Sequence, residues 1–363
     1  MGVHGGEAGG TDHGGGASAL DGIDDRLLGV PFDCWFVVLS AWFMSGVLLD
    51  GRSHVHGGPE TFFTPQHAIF YTAFLGIAGL LGVTIYRRRV AGAAWSNAVP
   101  DGYRVSLVGV GLFFVGGIGD LFWHELFGIE TSVEALLSPT HLTLFLGGLL
   151  FLTGPVRAAW RQPDANTDRW QTLAALVGWG LVLAGFAFLT LYAHPFVRAF
   201  GTRVPPAAGG HVHGGAQGFF MEQLGIAGIL LQTGALLVGI GLFVRRWPRS
   251  LPTGWITLLF AITVGATVAL GGPPGFVLVA LGAGVVADGL YRRLDLRRTR
   301  DFRLFGAAVP VVLWSLYFGA LGLTVGLGWA IHAWGGAILL GGFVGVVVTY
   351  LLDPPAMPMA ATE

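Results

Sequence analysis

The chain has 363 residues, of which 53% are hydrophobic and only 11% charged, and its mean hydropathy is +0.67. This balance excludes an ordinary soluble domain, and the net charge of −1 gives no support to a nucleic-acid-binding surface. Several apolar segments are long enough to cross a bilayer. The sequence therefore predicts an all-α polytopic membrane protein, a transmembrane helical bundle in contact with the lipid bilayer.

The predicted elements begin with a Gly-rich tail over residues 1–28, which lacks the basic start and apolar core of a signal peptide and is expected to be disordered. The first six of about ten membrane spans then form three outward-opening hairpins over 29–244. The last four form a transmembrane scaffold over 245–352, and 353–363 is a second tail. The predicted spans are 31–49, 65–86, 106–127, 135–155, 171–193, 219–244, 253–270, 275–291, 304–324 and 328–351.

All twenty basic residues are arginine, and most of them fall on one side of the predicted spans. Only Arg52, Arg198 and Arg203 fall on the other side. Positively charged residues are concentrated in cytoplasmic loops, so both termini are predicted to be cytoplasmic in a multi-pass plasma-membrane protein. The single cysteine, Cys34, lies in the first span, which excludes an intramolecular disulfide and a thiolate metal cluster.

Residue types that bind metals recur in the same order in the first and second predicted hairpins. In each copy an Asp is followed four residues later by a His, then by Glu-Thr, then by Ser/Thr-Pro-x-His at the start of a span. An internal repeat explains this order better than chance. The first copy contains Asp50, His54, Glu60, Thr61, Thr64, Pro65 and His67; the second contains Asp120, His124, Glu130, Thr131, Ser138, Pro139 and His141.

The spacing within each copy brings its ligands to one place. An Asp and a His four residues apart share a helix face, provided that the helix continues through Gly51 or Leu121. Ser/Thr-Pro is typical of a helix start, which puts the second His in the first turn of the next span. A site with two imidazole ligands, one carboxylate ligand and open coordination positions suits copper, non-haem iron or zinc. Glu60 and Glu130 are further ligands or hydrogen-bond partners that orient a His ring.

Secondary candidates come from the loops and the later spans. The segment 211–220 lines up with 54–63, with Leu224 in the place of His67, and indicates a degenerate third copy. The loop histidines are either solvated side chains or groups that pass metal inward, and Glu222 is either a proton relay or a buried hydrogen-bonded carboxyl. Histidines near the ends of later spans are interior side chains or further ligands. These candidates are His56, His211, His213, Glu222, His332 and His194.

The stretch from Asp50 to Tyr71, about 22 residues, resembles the C subunit of the particulate methane and ammonia monooxygenases. That family has an Asp-x3-His-x12-His set of copper ligands and an acidic-Thr-x-Phe-Thr-Pro-x-His segment that leads to a Phe-Tyr pair. The resemblance implies that Asp50, His54 and His67 bind copper. It also implies an oxidoreductase that acts on a small apolar substrate with dioxygen. The second copy, with sixteen residues between His124 and His141, is not part of the family pattern.

Three functional hypotheses follow. The first is a copper-dependent, monooxygenase-like membrane oxidoreductase. The second is a non-enzymatic protein that binds or handles copper or zinc at the outer membrane face. The third is a membrane scaffold in which both triads are structural polar clusters. A metal transporter is disfavoured, because the sequence places no histidine at mid-depth or at the inner ends of the spans.

Overall fold

The computed structural model describes residues 27, 29–55, 64–128, 134–162, 168–202, 216–248 and 250–355, and most of this part of the chain is helical. The helices are α1 (Phe32–Val55), α2 (Pro65–Val90), α3 (Trp95–Ala98), α4 (Arg104–Phe127), α5 (Glu134–Leu137), α6 (Pro139–Leu152), α7 (Gly154–Arg161), α8 (Arg169–Leu189), α9 (Ala216–Arg246), α10 (Trp255–Ala269), α11 (Phe276–Arg293), α12 (Thr299–Thr324) and α13 (Ile331–Leu352).

Eight helical segments among the described residues are long and apolar enough to cross a membrane. They confirm the prediction of a multi-pass helical membrane protein. The predicted count of about ten is not confirmed, because the remaining two spans coincide with α10, which has only 15 residues, and α11, whose 18 residues include the charged Asp288, Arg292 and Arg293. The eight segments are Phe32–His54, Pro65–Val90, Arg104–Phe127, Pro139–Arg161, Arg169–Leu189, Gly218–Arg246, Thr299–Thr324 and Ile331–Leu352.

The first two predicted hairpins form closely packed helix pairs, α1 with α2 and α4 with α6. Glycines allow these close approaches. A β-carbon on Gly46 would lie 2.6 Å from the backbone nitrogen of Phe70, and one on Gly109 would lie 2.6 Å from the carbonyl oxygen of Gly147. Small residues at such crossings let helix backbones pack directly against each other. Each hairpin therefore holds the end of one helix beside the start of the next.

A cluster of aromatic rings joins the two hairpins to each other. The Phe113 ring of α4 lies 5.2 Å from the ring of Phe43 and 4.8 Å from that of Phe74, measured between centroids. It also lies 6.4 Å from Phe70 and 5.9 Å from Phe151. The contact with Phe74 is tilted and the other three are edge-to-face, and aromatic pairs at these distances stabilise buried clusters. The two hairpins therefore share one apolar core.

The third predicted hairpin is not confirmed as a repeat of the first two. In the described residues, α8 packs chiefly on α10 and α1, whereas α9 packs chiefly on α13, so these two helices make little contact with each other. The later helices pack in sequence, α10 on α11, α11 on α12 and α12 on α13. A second large apolar core, centred on Trp255, Phe305 and Trp314, lies among these helices.

Asp288 of α11 fixes the start of α10. Its carboxylate accepts hydrogen bonds from the backbone nitrogens of Ile256, at 3.2 Å, and Thr257, at 3.0 Å, and from the Thr257 hydroxyl at 2.6 Å. The first backbone N–H groups of a helix have no partner within the helix, and a carboxylate satisfies them well. Asp288 thus acts as a helix cap supplied by a neighbouring helix.

Several predicted features lie outside the described residues. They include the Gly-rich tail up to residue 26, residues 356–363 of the second tail, and the loop candidates Glu60, Glu130, His56, His211 and His213.

Candidate metal centres

The first candidate centre is built at the mouth of the α1–α2 hairpin. Helix α1 continues through Gly51, as the repeat predicts, and a β-carbon at Gly51 would lie 2.4 Å from the Phe188 ring. Asp50 and His54 are therefore one helical turn apart. The Nε2 atom of His54 lies 3.7 Å from Oδ2 of Asp50.

The start of α2 supplies the third residue of this centre. The Thr64 hydroxyl accepts a hydrogen bond of 3.1 Å from the backbone nitrogen of His67, and Pro65 is the first helical residue. This confirms the predicted helix start. It places Nε2 of His67 3.3 Å from Oδ1 of Asp50, so the carboxylate lies between the two imidazoles.

The second copy has the same construction at the mouth of the α4–α6 hairpin. Helix α4 continues to Phe127, and Nε2 of His124 lies 3.4 Å from Oδ2 of Asp120. The Ser138 hydroxyl accepts a hydrogen bond of 3.3 Å from the backbone nitrogen of His141. The Nε2 atom of His141 then lies 3.3 Å from Oδ1 of Asp120.

The second triad has dimensions that suit one metal ion. One ligand atom from each of Asp120, His124 and His141 can be chosen so that all lie within 4.8 Å of one another, and no other group of three such residues in the described part of the chain meets this condition. Ligand atoms at 2.0–2.2 Å from a tetrahedral ion are about 3.3–3.6 Å apart. The two histidine–carboxylate distances, 3.4 and 3.3 Å, are close to this separation.

Neighbouring polar groups orient the ligands of the second triad. The Thr140 hydroxyl donates a hydrogen bond of 2.8 Å to Oδ1 of Asp120. The Nδ1 atom of His124 lies 3.3 Å from the Gly128 carbonyl oxygen. A proton on Nδ1 leaves the Nε2 lone pair directed at the carboxylate, where two lone pairs repel unless a second proton or a cation lies between them. The arrangement can therefore accommodate either a protonated His124 or a metal cation.

The two centres differ in exposure. The side chain of Asp120 is 4% exposed and that of His124 is 11% exposed, whereas His54 in the first centre is 40% exposed. A buried carboxylate is costly without a cation or several hydrogen-bond donors. The carboxylate of the second centre is therefore the more deeply buried, with His141 as its most exposed ligand, whereas the first centre is most open at His54.

Tyr71 links the two centres. It lies one turn after His67 in α2, with 6.1 Å between the ring centroids, and its hydroxyl lies against Gly117 of α4. Its hydroxyl is within electrostatic range of both Asp120 and Asp50. The two triads are thus neighbours at one end of the molecule. The sequence repeat alone does not show whether they meet.

The remaining described candidates do not join either triad. Glu222 is half-buried in α9, which packs chiefly on α13. His332 is exposed at the start of α13. His194 is buried in the segment between α8 and α9. The repeat did not single out Thr140, although this residue lies inside the Pro-x-His element and could have been found from its position there.

Comparison of the chain with protein-family models, with curated proteins and with solved structures gives no match. The functional interpretation of the two centres therefore depends on their own chemistry and on the local resemblance around Asp50.

Proposed function

We propose that this protein is an integral membrane metalloprotein that binds copper at two neighbouring Asp-His-His sites. The observation that carries the proposal is the second triad, in which a carboxylate and two imidazoles lie within 4.8 Å of one another. Thr140 and the Gly128 carbonyl oxygen contact Asp120 and His124, respectively, and orient these ligands, as expected for a metal site. Asp50, His54 and His67 would hold the second ion with the same ligand types.

We propose copper as the metal and an oxidoreductase activity because of the local resemblance to copper membrane monooxygenases. A bound copper ion would supply one-electron chemistry and activation of dioxygen. The chain supplies an apolar surface beside the ligands, since the Phe70 ring lies 5.1 Å from the His67 ring and packs in the aromatic cluster around Phe113. This surface would exclude water and suits a small apolar substrate that enters from the bilayer.

A non-enzymatic role in metal handling is the second candidate. The exposure of His54, at 40%, favours it, because an open imidazole allows an ion to enter and leave the first site. In this case the first site would capture the ion and the enclosed second site would retain it. Neither site would then support turnover.

The metal content of the purified protein tests the proposal. The protein, without an affinity His tag, is placed in nanodiscs, exposed to limiting copper, zinc and iron together, freed of unbound metal and measured by inductively coupled plasma mass spectrometry. We expect the wild-type protein to retain copper and Asp120→Ala to lose the copper of the second site. Asp101→Ala should retain it, because the Asp101 carboxylate is exposed and precedes α4, whereas Asp120 lies near the other end of that helix. Retention of no metal by the wild-type protein would refute the proposal.

Activity separates the two candidates. Dioxygen consumption by the copper-loaded protein with a reductant is expected to exceed that of the Asp50→Ala and Asp120→Ala variants. Equal consumption in all samples, together with retained copper, would favour metal handling.

A further inference from the structure

The segment between α8 and α9 folds back into the protein at residues 190–197. Thr190, Ala193, His194 and Phe196 are all buried. Glycines on neighbouring helices make room for it, since a β-carbon on Gly228 would lie 1.8 Å from the Ala193 carbonyl oxygen. Irregular backbone inside a membrane protein persists where it is packed against protein or lines a cavity.

His194 has a defined tautomer and one nitrogen without a partner. Its Nδ1 atom accepts a hydrogen bond of 3.2 Å from the backbone nitrogen of Phe196. Burial lowers the pKa of His194 to about 3, so the ring is neutral near pH 7 and carries its proton on Nε2. This Nε2 atom is buried and has no hydrogen-bond partner among the described residues. A buried donor in this state is costly unless it meets an acceptor.

A cavity of about 30 Å³ lies beside His194. Its polar lining comes from Gln232 of α9 and Thr263 of α10, and Trp314 of α12 closes one side. The Trp314 indole nitrogen is already satisfied, because it donates a hydrogen bond of 2.8 Å to Thr233. Among the described residues, the cavity lining contains no charged side chain to balance an ion. It is large enough for one water molecule, and a water there needs two to four polar partners.

The protons of the lining groups show which atoms can act as acceptors. The Gln232 amide nitrogen donates to the Thr190 hydroxyl at 2.7 Å, which leaves the Gln232 carboxamide oxygen as an acceptor. The Thr263 hydroxyl donates to the Leu259 carbonyl at 2.8 Å and can still accept one hydrogen bond. The lining therefore offers the Nε2 donor of His194 and two acceptors. A water molecule complements this set.

We propose that this cavity is a binding site for a single internal water, which accepts a hydrogen bond from Nε2 of His194 and donates to Gln232 and Thr263. The bound water satisfies the histidine and connects the buried segment with α9 and α10. The site is independent of the metal centres.

Two measurements on the full-length protein in nanodiscs test this proposal. In a cryo-electron microscopy map of the wild-type protein that resolves ordered water, we expect a peak at about 2.7–3.2 Å from Nε2 of His194. X-ray hydroxyl-radical labelling, which modifies side chains next to bound water, should label His194 although it is 1% exposed.

A matched pair of variants gives the control. Thr263→Val removes one acceptor of the proposed water and is expected to lower the labelling of His194. Thr267→Val alters a buried hydroxyl in the same helix that donates to the Val264 carbonyl at 2.8 Å and does not line the cavity, so labelling should stay at the wild-type level. Absence of the peak and of His194 labelling in the wild-type protein would overturn the proposal. So would equal labelling in both variants.

Discussion

Thr140 provides the sharpest test of the second metal centre. Its hydroxyl donates a hydrogen bond of 2.8 Å to Oδ1 of Asp120, the oxygen that also lies 3.3 Å from His141. Thr140→Val keeps the shape of the side chain and removes this hydrogen bond. A hydrogen bond to a charged group contributes about 1.5–3 kcal/mol, which corresponds to about a 10- to 160-fold loss of metal affinity.

Thr143→Val is the matched control, because Thr143 lies in the same helix and its hydroxyl donates to the Pro139 carbonyl at 2.8 Å instead of to a ligand. The assay is a competition titration of copper against a chelator of known affinity, in nanodiscs. We expect Thr140→Val to lose affinity at one site, Thr143→Val to remain within about two-fold of the wild type, and Thr140→Ser to recover most of the loss. Equal affinities for the two valine variants would refute the assignment of Thr140 to the centre.

Four further predictions concern helix packing, the link between the two centres and the buried histidine. Asp288→Ala should lower the free energy of unfolding by about 3 kcal/mol, because three hydrogen bonds to α10 are lost; an unchanged thermal midpoint would contradict this. Gly109→Leu should force α4 from α6 and reduce copper at the second site but not the first, as measured by metal content; loss from both sites or neither would count against the packing argument. Tyr71→Phe should alter the copper electron paramagnetic resonance signals of both sites, whereas Tyr86→Phe, at an exposed position, should not. Identical spectra for the two variants would contradict the placement of Tyr71 between the two centres. The pKa of His194 is about 3 in the folded protein and about 6.5 in the unfolded protein. As the pH falls below 6.5, the unfolded state therefore takes up a proton that the folded state does not. Stability should then fall below pH 6.5 by up to about 1.4 kcal/mol per pH unit, and His194→Phe, compared by thermal unfolding, should remove this slope; an equal slope would exclude His194 as its source.

Local rules in the sequence were enough to predict how each triad is assembled. The helix starts at Thr64 and Ser138 follow from capping chemistry between residues three apart, and the structure confirms both. The contact between His54 and Asp50 follows from one turn of helix. These features depend only on neighbours along the chain.

Contacts between distant segments could not be predicted in this way. Asp33 accepts hydrogen bonds from Tyr103 and Gln171, and Asp288 accepts them from the start of another helix. Helix packing decides these partners, and the hydropathy pattern does not determine which helices become neighbours. The weak pairing of α8 with α9 was missed for the same reason.

The cap that Asp288 places on α10 bears on how the protein fits its bilayer. With 15 residues, α10 is about 22 Å long, about 8 Å less than the usual hydrocarbon thickness. A lipid-exposed helix of this length would thin the membrane or tilt its neighbours. Here the Asp288 carboxylate meets one end of α10, while Gly272, just beyond its other end, lies against the Phe196 carbonyl of the buried segment. Because protein groups contact both ends of α10, we expect its short length to be matched by neighbouring protein and not by the thickness of the membrane.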